Sequence, residues 1–475
     1  MLTCEGAVAI SWSGYQRSIF RDVEVGDGHT VVLARAGSGK TTTILEALRH
    51  VPSGARVLMA AFNKSIEREL AKKAPPRVEV RTLHGYGLSL VRGACGKAEI
   101  YEAKVPMLIE EKLGAGLPLQ QRHALQRGVE LAKATLAETA GEVRRLIDDF
   151  DLGVPDGKEG EFAEHVLDLL DACAANTQIV DFDDMIWLPI RLGLHPRTFD
   201  RVFVDETQDL NRCQVELALR ACAPGGRICA VGDDRQAIYT WRGADPEAVP
   251  RMIERLDAKV LPLSVTYRCA RAIVQVANEI VPDLEAAPGA AEGLVASTTE
   301  ERLKREARPG DFILSRTNAP LVGLCLHFLA EGRPATVAGR DVGAGLTSLI
   351  RKSQARSVPE LCGWVDDWAK QEAKRLEQKG KDRTGPKDKA DCVRKLAEGA
   401  RSVDEVLNTI QTLFSDKGDN SRIVLSTTHR AKGLERDRAW VLRDTYRRSS
   451  TEEENLWYVA VTRAKRELLL VQSAA

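Results

Sequence analysis

Ala34-Arg35-Ala36-Gly37-Ser38-Gly39-Lys40-Thr41 stands between an apolar run at residues 31–34 and a helical pattern at residues 42–48. Strand, glycine-rich turn, lysine and helix is the context a phosphate-binding loop requires. The glycines let backbone N–H groups turn inward, and the helix start adds partial positive charge. Ala36, Gly37, Ser38 and Gly39 are therefore read as the phosphate cradle. Lys40 is expected to reach the β- and γ-phosphates and the Thr41 hydroxyl to bind Mg²⁺. Ala34 stands where the strict pattern has its first glycine.

Further along the chain, Val202-Phe203-Val204-Asp205-Glu206-Thr207-Gln208-Asp209 ends an apolar strand on two adjacent carboxylates. Ligands of open α/β sheets bind at such strand ends. An acidic strand end alone more often opens a solvated loop. Beside a Lys40 loop the reading reverses: Asp205 holds Mg²⁺, and Glu206 orients and deprotonates a water.

Working outward, short apolar runs alternate with helical patterns. Strands are expected at residues 31–34, 56–61, 78–82, 201–205 and 228–232, and a second set at 260–263, 312–315, 423–427, 439–442 and 468–471. This alternation predicts an α/β fold with two helix-covered parallel sheets. Residues 88–176 read as mainly helical, with Phe162, Val166, Leu169, Leu170 and Cys173 on one face. Residues 346–419 also read as helical and strongly charged. Ser357 to Glu360 and Ser402 to Glu405 look like capping boxes. Residues 379–387 between them are expected to be a solvated loop. The expected organisation is a first domain at 1–87 and 177–262 with an insertion at 88–176. A second domain follows at 263–345 and 420–475, with a reduced insertion at 346–419.

Composition narrows the function classes. The 68 basic residues balance the 68 acidic ones, so any nucleic-acid contact must come from a local groove rather than from bulk charge. The ten cysteines include no C-x-x-C pair, which favours small buried hydrophobes in a reducing compartment over a metal cluster. No run approaches the roughly 20 apolar residues that a membrane span needs. No basic lead with an apolar run opens the chain. The expectation is a soluble, cytoplasmic protein with no membrane partner.

The order of motifs resembles the UvrD/Rep branch of the superfamily 1 DNA helicases. Tyr15-Gln16 is similar to the adenine-reading glutamine motif. Ala61-Phe62-Asn63-Lys64 and Thr82-Leu83-His84-Gly85 resemble the two early DNA-contact motifs. The run 231–245, with Gln236, Tyr239, Trp241 and Arg242, is nearly the third motif. Tyr267-Arg268 resembles the fourth. Residues 426–435, with Thr428, His429 and Glu435, resemble the fifth, and residues 452–464, with Arg463, the sixth.

This resemblance implies two RecA-like P-loop NTPase domains, each with a mainly helical insertion and with ATP in the cleft between them. It implies an ATP-dependent DNA translocase and helicase, with 3′→5′ polarity, in settings such as DNA repair and recombination. Gln236 would sense the γ-phosphate, and Arg268 and Arg463 would be arginine fingers. Gln16, Tyr267 and Glu435 would read adenine and ribose. Phe62, Asn63, Thr82, His84, Tyr239, Trp241, Arg242, Thr428 and His429 would contact single-stranded DNA near duplex junctions. Thr42 stands where the family commonly places an adenine-contacting arginine, and Thr266 and Asn455 also depart from the usual residues. The short second insertion and the variant Asp181-Phe182-Asp183-Asp184-Met185 are similar to small phage-type and F-box DNA helicase-like members. The chain stops soon after the sixth motif, so no appended nuclease is expected. The rival reading is a DNA-sensing regulatory ATPase that controls a nuclease or repair protein in trans.

Overall fold

The computed structural model describes residues 11–240, 243–378, 383–414 and 421–472. The chain divides into two units, residues 1–265 and 266–475.

The first unit is built on a six-stranded sheet, with β1 Thr30–Ala34, β2 Val57–Ala61, β3 Val78–Thr82, β4 Phe199–Val204, β5 Cys222–Gly232 and β6 Lys259–Leu263 in the order β3-β2-β4-β5-β1-β6. Every neighbouring pair is parallel. Strands buried on both faces need continuous apolar sequence, and β2 is buried at every position. The strand at residues 260–263, expected in the second set, belongs here. It runs beside β1, with Val31 opposite Val260 and Leu33 opposite Pro262. Because β5 lies between β4 and β1, the phosphate loop, the acidic pair and the third motif leave three adjacent strands at their C-terminal ends.

The helical segment of this unit comprises Leu83–Cys95, Lys104–Leu113, Leu119–Thr135, Ala140–Phe150 and Glu159–Ala175, closed by a small ladder of Glu99–Ile100 with Ile179–Val180. Phe162, Val166, Leu169, Leu170 and Cys173 are all buried. Two lysines are buried with them. Lys104 Nζ lies 2.5 Å from Asp184 Oδ2, and Lys133 Nζ lies 2.7 Å from Asp181 Oδ2 and 2.8 Å from Asp184 Oδ1. Lys104 also donates to the carbonyls of Cys173 and Asn176. Asp184→Ala would leave Lys104 with carbonyls alone and Lys133 with Asp181 alone, which costs about 3–5 kcal/mol for a broken buried pair. The expected result is a fall in Tm on the order of 10 °C. A fall under about 2 °C would show that the cluster contributes little.

The second unit has its own six-stranded parallel sheet, with β7 Leu294–Thr299, β8 Phe312–Ser315, β9 Ala335–Val337, β10 Ile423–Thr427, β11 Arg436–Leu442 and β12 Ala464–Gln472 in the order β7-β12-β11-β8-β10-β9. Its charged insertion is helical at Arg340–Ser353, Val358–Gln378, Thr384–Ala397 and Val403–Leu413. Of the expected loop, residues 379–382 lie outside the described residues. Thr384 to Lys387 instead open a helix, because Pro386 falls in the first turn, where its missing N–H breaks no bond. Both expected caps form with a shift. The Ser357 and Ser402 hydroxyls accept from Glu360 N and Glu405 N, while the two glutamates reach back to Arg356 N and Arg401 N.

Candidate nucleotide and DNA site

The phosphate loop is fixed by backbone hydrogen bonds at its base. Arg35 N–H donates to the Leu263 carbonyl, and Ser38 N–H to the Arg35 carbonyl. Gly37 and Gly39 have φ of 73° and 77°, a left-handed conformation that favours glycine. Gly39 is the N-cap of Lys40–Ala47, and no side chain caps that helix. Ser38 is fully buried, and its hydroxyl has no hydrogen-bond partner among the described residues. A buried hydroxyl left unpaired costs about 1–3 kcal/mol, so a ligand that fills this gap binds with that advantage. A helix start with no side-chain cap and an orphaned buried hydroxyl fit a chain of phosphates. Thr41 and Thr42 are exposed on the first turn. Gln16 lies behind the loop. Its Nε2 donates to Thr43 Oγ1 at 2.9 Å, and its Oε1 caps the Gly14–Val25 helix through Ser13 N.

The acidic pair faces this loop. Lys40 Nζ lies 2.6 Å from Glu206 Oε2. Burial pulls the Lys40 ammonium down, but the charges of Glu206, Asp205 and Asp233 outweigh it and the net shift is upward. Asp205 is 3% exposed. Burial first, and then the Glu206 charge, push its carboxyl up to about 7 against the pull of Lys40. A divalent cation at Asp205 would relieve that cost, and Mg²⁺ uses one or two carboxylates plus phosphate oxygens rather than an all-protein cage. Asp205 and the Thr41 hydroxyl are the residues that would hold it. Glu206 sits at φ 51°, a strained value for a residue with a Cβ.

Beyond Glu206 the polar side chains form a connected set. Gln208 Nε2 donates to Glu206 Oε2 at 2.6 Å, and Gln208 Oε1 accepts from Asp233 N at 2.9 Å. Gln236 Nε2 donates to Asp233 Oδ2 at 2.7 Å. Arg35 pairs with Asp233 at 3.1 Å and with Asp234 at 2.6 Å.

The second unit holds the remaining residues expected to touch nucleotide. Tyr267 is 50% exposed. Arg268 pairs with Glu435, which also takes Lys465 Nζ at 2.8 Å. Arg463 is 1% exposed and bonds the carbonyls of Val459 and Leu434.

Comparison with known proteins matches residues 16–257 to the UvrD/REP helicase N-terminal domain and residues 347–474 to the UvrD-like helicase C-terminal domain. The chain belongs to the UvrD/Rep helicase family. The ATP-dependent DNA helicase Rep of Escherichia coli is 26% identical over 287 residues, 54% of this chain and 42% of that protein. The ATP-dependent DNA helicase PcrA of Bacillus subtilis is 24% identical over 282 residues, 54% of this chain and 38% of its own length. DNA helicase II of Haemophilus influenzae is 25% identical over 283 residues, again 38% of its own length. The chain thus matches less than half the length of these relatives. Among the described residues no helix is long and apolar enough to cross a membrane.

The DNA-contact residues expected of a UvrD/Rep helicase fall in varied settings. Phe62 is half-buried, and Asn63 is exposed and caps Lys64–Lys73 through Ile66 N. Thr82 is buried and caps Leu83–Cys95 through Gly85 N. His84 is held below its ordinary pKa by burial, so it is neutral at pH 7 and offers a ring rather than a charge. Tyr239 and His429 are half-buried. Thr428 is buried and its hydroxyl bonds Tyr446. Trp241 and Arg242 lie outside the described residues. Sequence reading assigned no role to Phe182, which is 51% exposed and meets His84 edge-on at 6.5 Å. An apolar ring between two aspartates was its only signal. Gln208 and Arg35 were also passed over, although both lie inside quoted motifs.

Proposed function

We propose that the chain is an ATP-dependent motor that moves along single-stranded DNA with 3′→5′ polarity and separates strands at duplex junctions. One observation carries the reading. Lys40, the helix start at Gly39, the orphaned Ser38 hydroxyl and the Asp205–Glu206 pair converge at the C-terminal ends of β1 and β4, the two strands that flank β5 in the parallel sheet.

In this reading the loop N–H groups and the Ser38 hydroxyl take the phosphates, and Lys40 turns from Glu206 to them. Asp205 and Thr41 hold Mg²⁺, which neutralises phosphate charge when bound. Glu206, released by Lys40, orients a water and accepts its proton. Gln236 passes the state of the γ-phosphate to the segment carrying Tyr239 and Trp241, which stack on bases. Tyr267 takes the adenine ring and Glu435 the ribose. Arg268 and Arg463 reach the γ-phosphate from the second RecA-like domain. Cleft closure on binding and opening on hydrolysis then ratchets the strand.

The test is ATPase turnover with and without single-stranded DNA, followed by unwinding of duplexes with 3′ or 5′ tails by the chain alone. Trp241→Ala is expected to weaken single-strand binding by about 1–3 kcal/mol per lost stack and to uncouple hydrolysis from movement. Unchanged binding and translocation would remove Trp241 from the DNA path. DNA-stimulated hydrolysis without unwinding would support a DNA-sensing ATPase that controls a nuclease or repair protein in trans.

A further inference from the structure

Glu206 Oε2 receives two donors at the same distance, Lys40 Nζ and Gln208 Nε2, each at 2.6 Å. The two differ in what else they can do. Phosphates at the loop would draw Lys40 away. Gln208 is 2% exposed and, among the described residues, has only Asp209, at 3.4 Å, as a second acceptor. Its amide can sit only one way round. Nε2 faces carboxylates and Oε1 faces the Asp233 N–H, so a swapped amide would oppose an oxygen to carboxylates and an N–H₂ to an N–H. The neighbouring strand leaves room for it: a Cβ on Gly232 would stand 2.7 Å from Gln208 Oε1. On its far side, Asp233 carries Gln236 and is pinned by Arg35. An unbroken chain of hydrogen bonds therefore runs from Glu206 through Gln208 and Asp233 to Gln236, all inside the first unit.

We infer that Gln208 is a positioning residue: it holds Glu206 in its reacting orientation after Lys40 has left for the phosphates, and it ties that carboxylate to residues 233–236. The inference rests on the proposed ATPase reading. It predicts that Gln208 acts on turnover rather than on nucleotide binding, and only through Glu206.

Gln208→Glu separates the two ends of the bridge. The new carboxylate still accepts from Asp233 N–H, but it cannot donate to Glu206 and repels it. Gln208→Met loses both ends at similar volume. Gln208→Glu is expected to lower kcat for ATP by ~10²-fold, the lower part of the range for a positioned base, with KM changed less than about three-fold. Gln208→Met is expected to lose DNA stimulation as well. In a Glu206→Gln background, adding Gln208→Glu is expected to slow single-turnover hydrolysis by no more than about two-fold, because residues that act as a unit are not additive. Multiplying effects in that double variant, or parallel losses in kcat, ATP affinity and Tm, would reduce Gln208 to a structural residue. Wild-type hydrolysis abolished by Lys40→Ala, beside Gln208 variants of full activity, would overturn this inference alone. Absence of Lys40-dependent hydrolysis in the wild type would overturn the ATPase reading with it.

Discussion

Glu206→Gln is expected to bind ATP at least as tightly as the wild type and to hydrolyse it ~10³-fold or more slowly, within the range for loss of a positioned general base. The two halves of this result follow from one contact. Glu206 Oε2 pairs with Lys40 Nζ at 2.6 Å, so the carboxylate competes with phosphates for the ammonium. An amide accepts the same hydrogen bond without the charge, and Lys40 becomes easier to recruit. The water, however, loses its proton acceptor. Lys40→Ala should do the opposite, with phosphate binding itself weakened because the cation is gone. A fluorescent nucleotide titration beside steady-state turnover separates the two variants. Turnover within about two-fold of wild type in both would remove this site from the chemistry.

What could be read from the sequence was local chemistry. The Lys40 loop and the Asp205–Glu206 strand end are each defined by adjacent residues, and their meaning does not depend on the rest of the fold. The alternation of apolar runs with helical patterns likewise announces parallel sheets. Sheet membership is a different matter. The strand at residues 260–263 follows the first domain's last motif and precedes the second's first, and nothing local says which sheet it joins. Its pairing with β1 is a tertiary fact. The contact of Phe182 with His84 was illegible for the same reason, since it joins residues 98 positions apart in the chain. Gln208 and Arg35 were hidden by the motifs that contain them. Their shared partner Asp233 lies in the turn after β5, 25 residues from Gln208 and 198 from Arg35. Of the described cysteines, six are buried, Cys222 and Cys362 are half-buried and Cys95 is exposed.

Arg463→Ala is expected to bind nucleotide with modest loss while DNA-stimulated hydrolysis falls by ~10³-fold or more, the effect of removing an arginine finger. The setting of this arginine makes the test sharper than for an exposed one. Its Nε donates to the Val459 carbonyl at 2.9 Å, and its other nitrogens to Leu434 O and Thr462 Oγ1 at 3.2 Å. Among the described residues no carboxylate pairs with it. Burial, and then the positive Arg268, push its pKa down from the ordinary arginine value. A guanidinium nonetheless stays charged at neutral pH, so the unit carries a buried cation short of an anion. Phosphate oxygens would supply that charge. A purely structural arginine would serve only to satisfy the two carbonyls. Three substitutions tell these roles apart. Arg463→Ala leaves the carbonyls unpaired, at about 1–3 kcal/mol of stability by the usual penalty for orphaned buried groups. Arg463→Met restores volume but no charge. Arg463→Lys restores charge but not the forked donor geometry. For a finger, all three lose turnover to a similar degree, while Tm varies among them and ATP affinity changes by less than about three-fold. For a structural residue, turnover would instead follow Tm across the series. The readout is nucleotide affinity, DNA-stimulated kcat and Tm for each variant. Full turnover in folded Arg463→Ala would mean that the second unit does not complete the active site, and the cleft-closing motor would have to be abandoned.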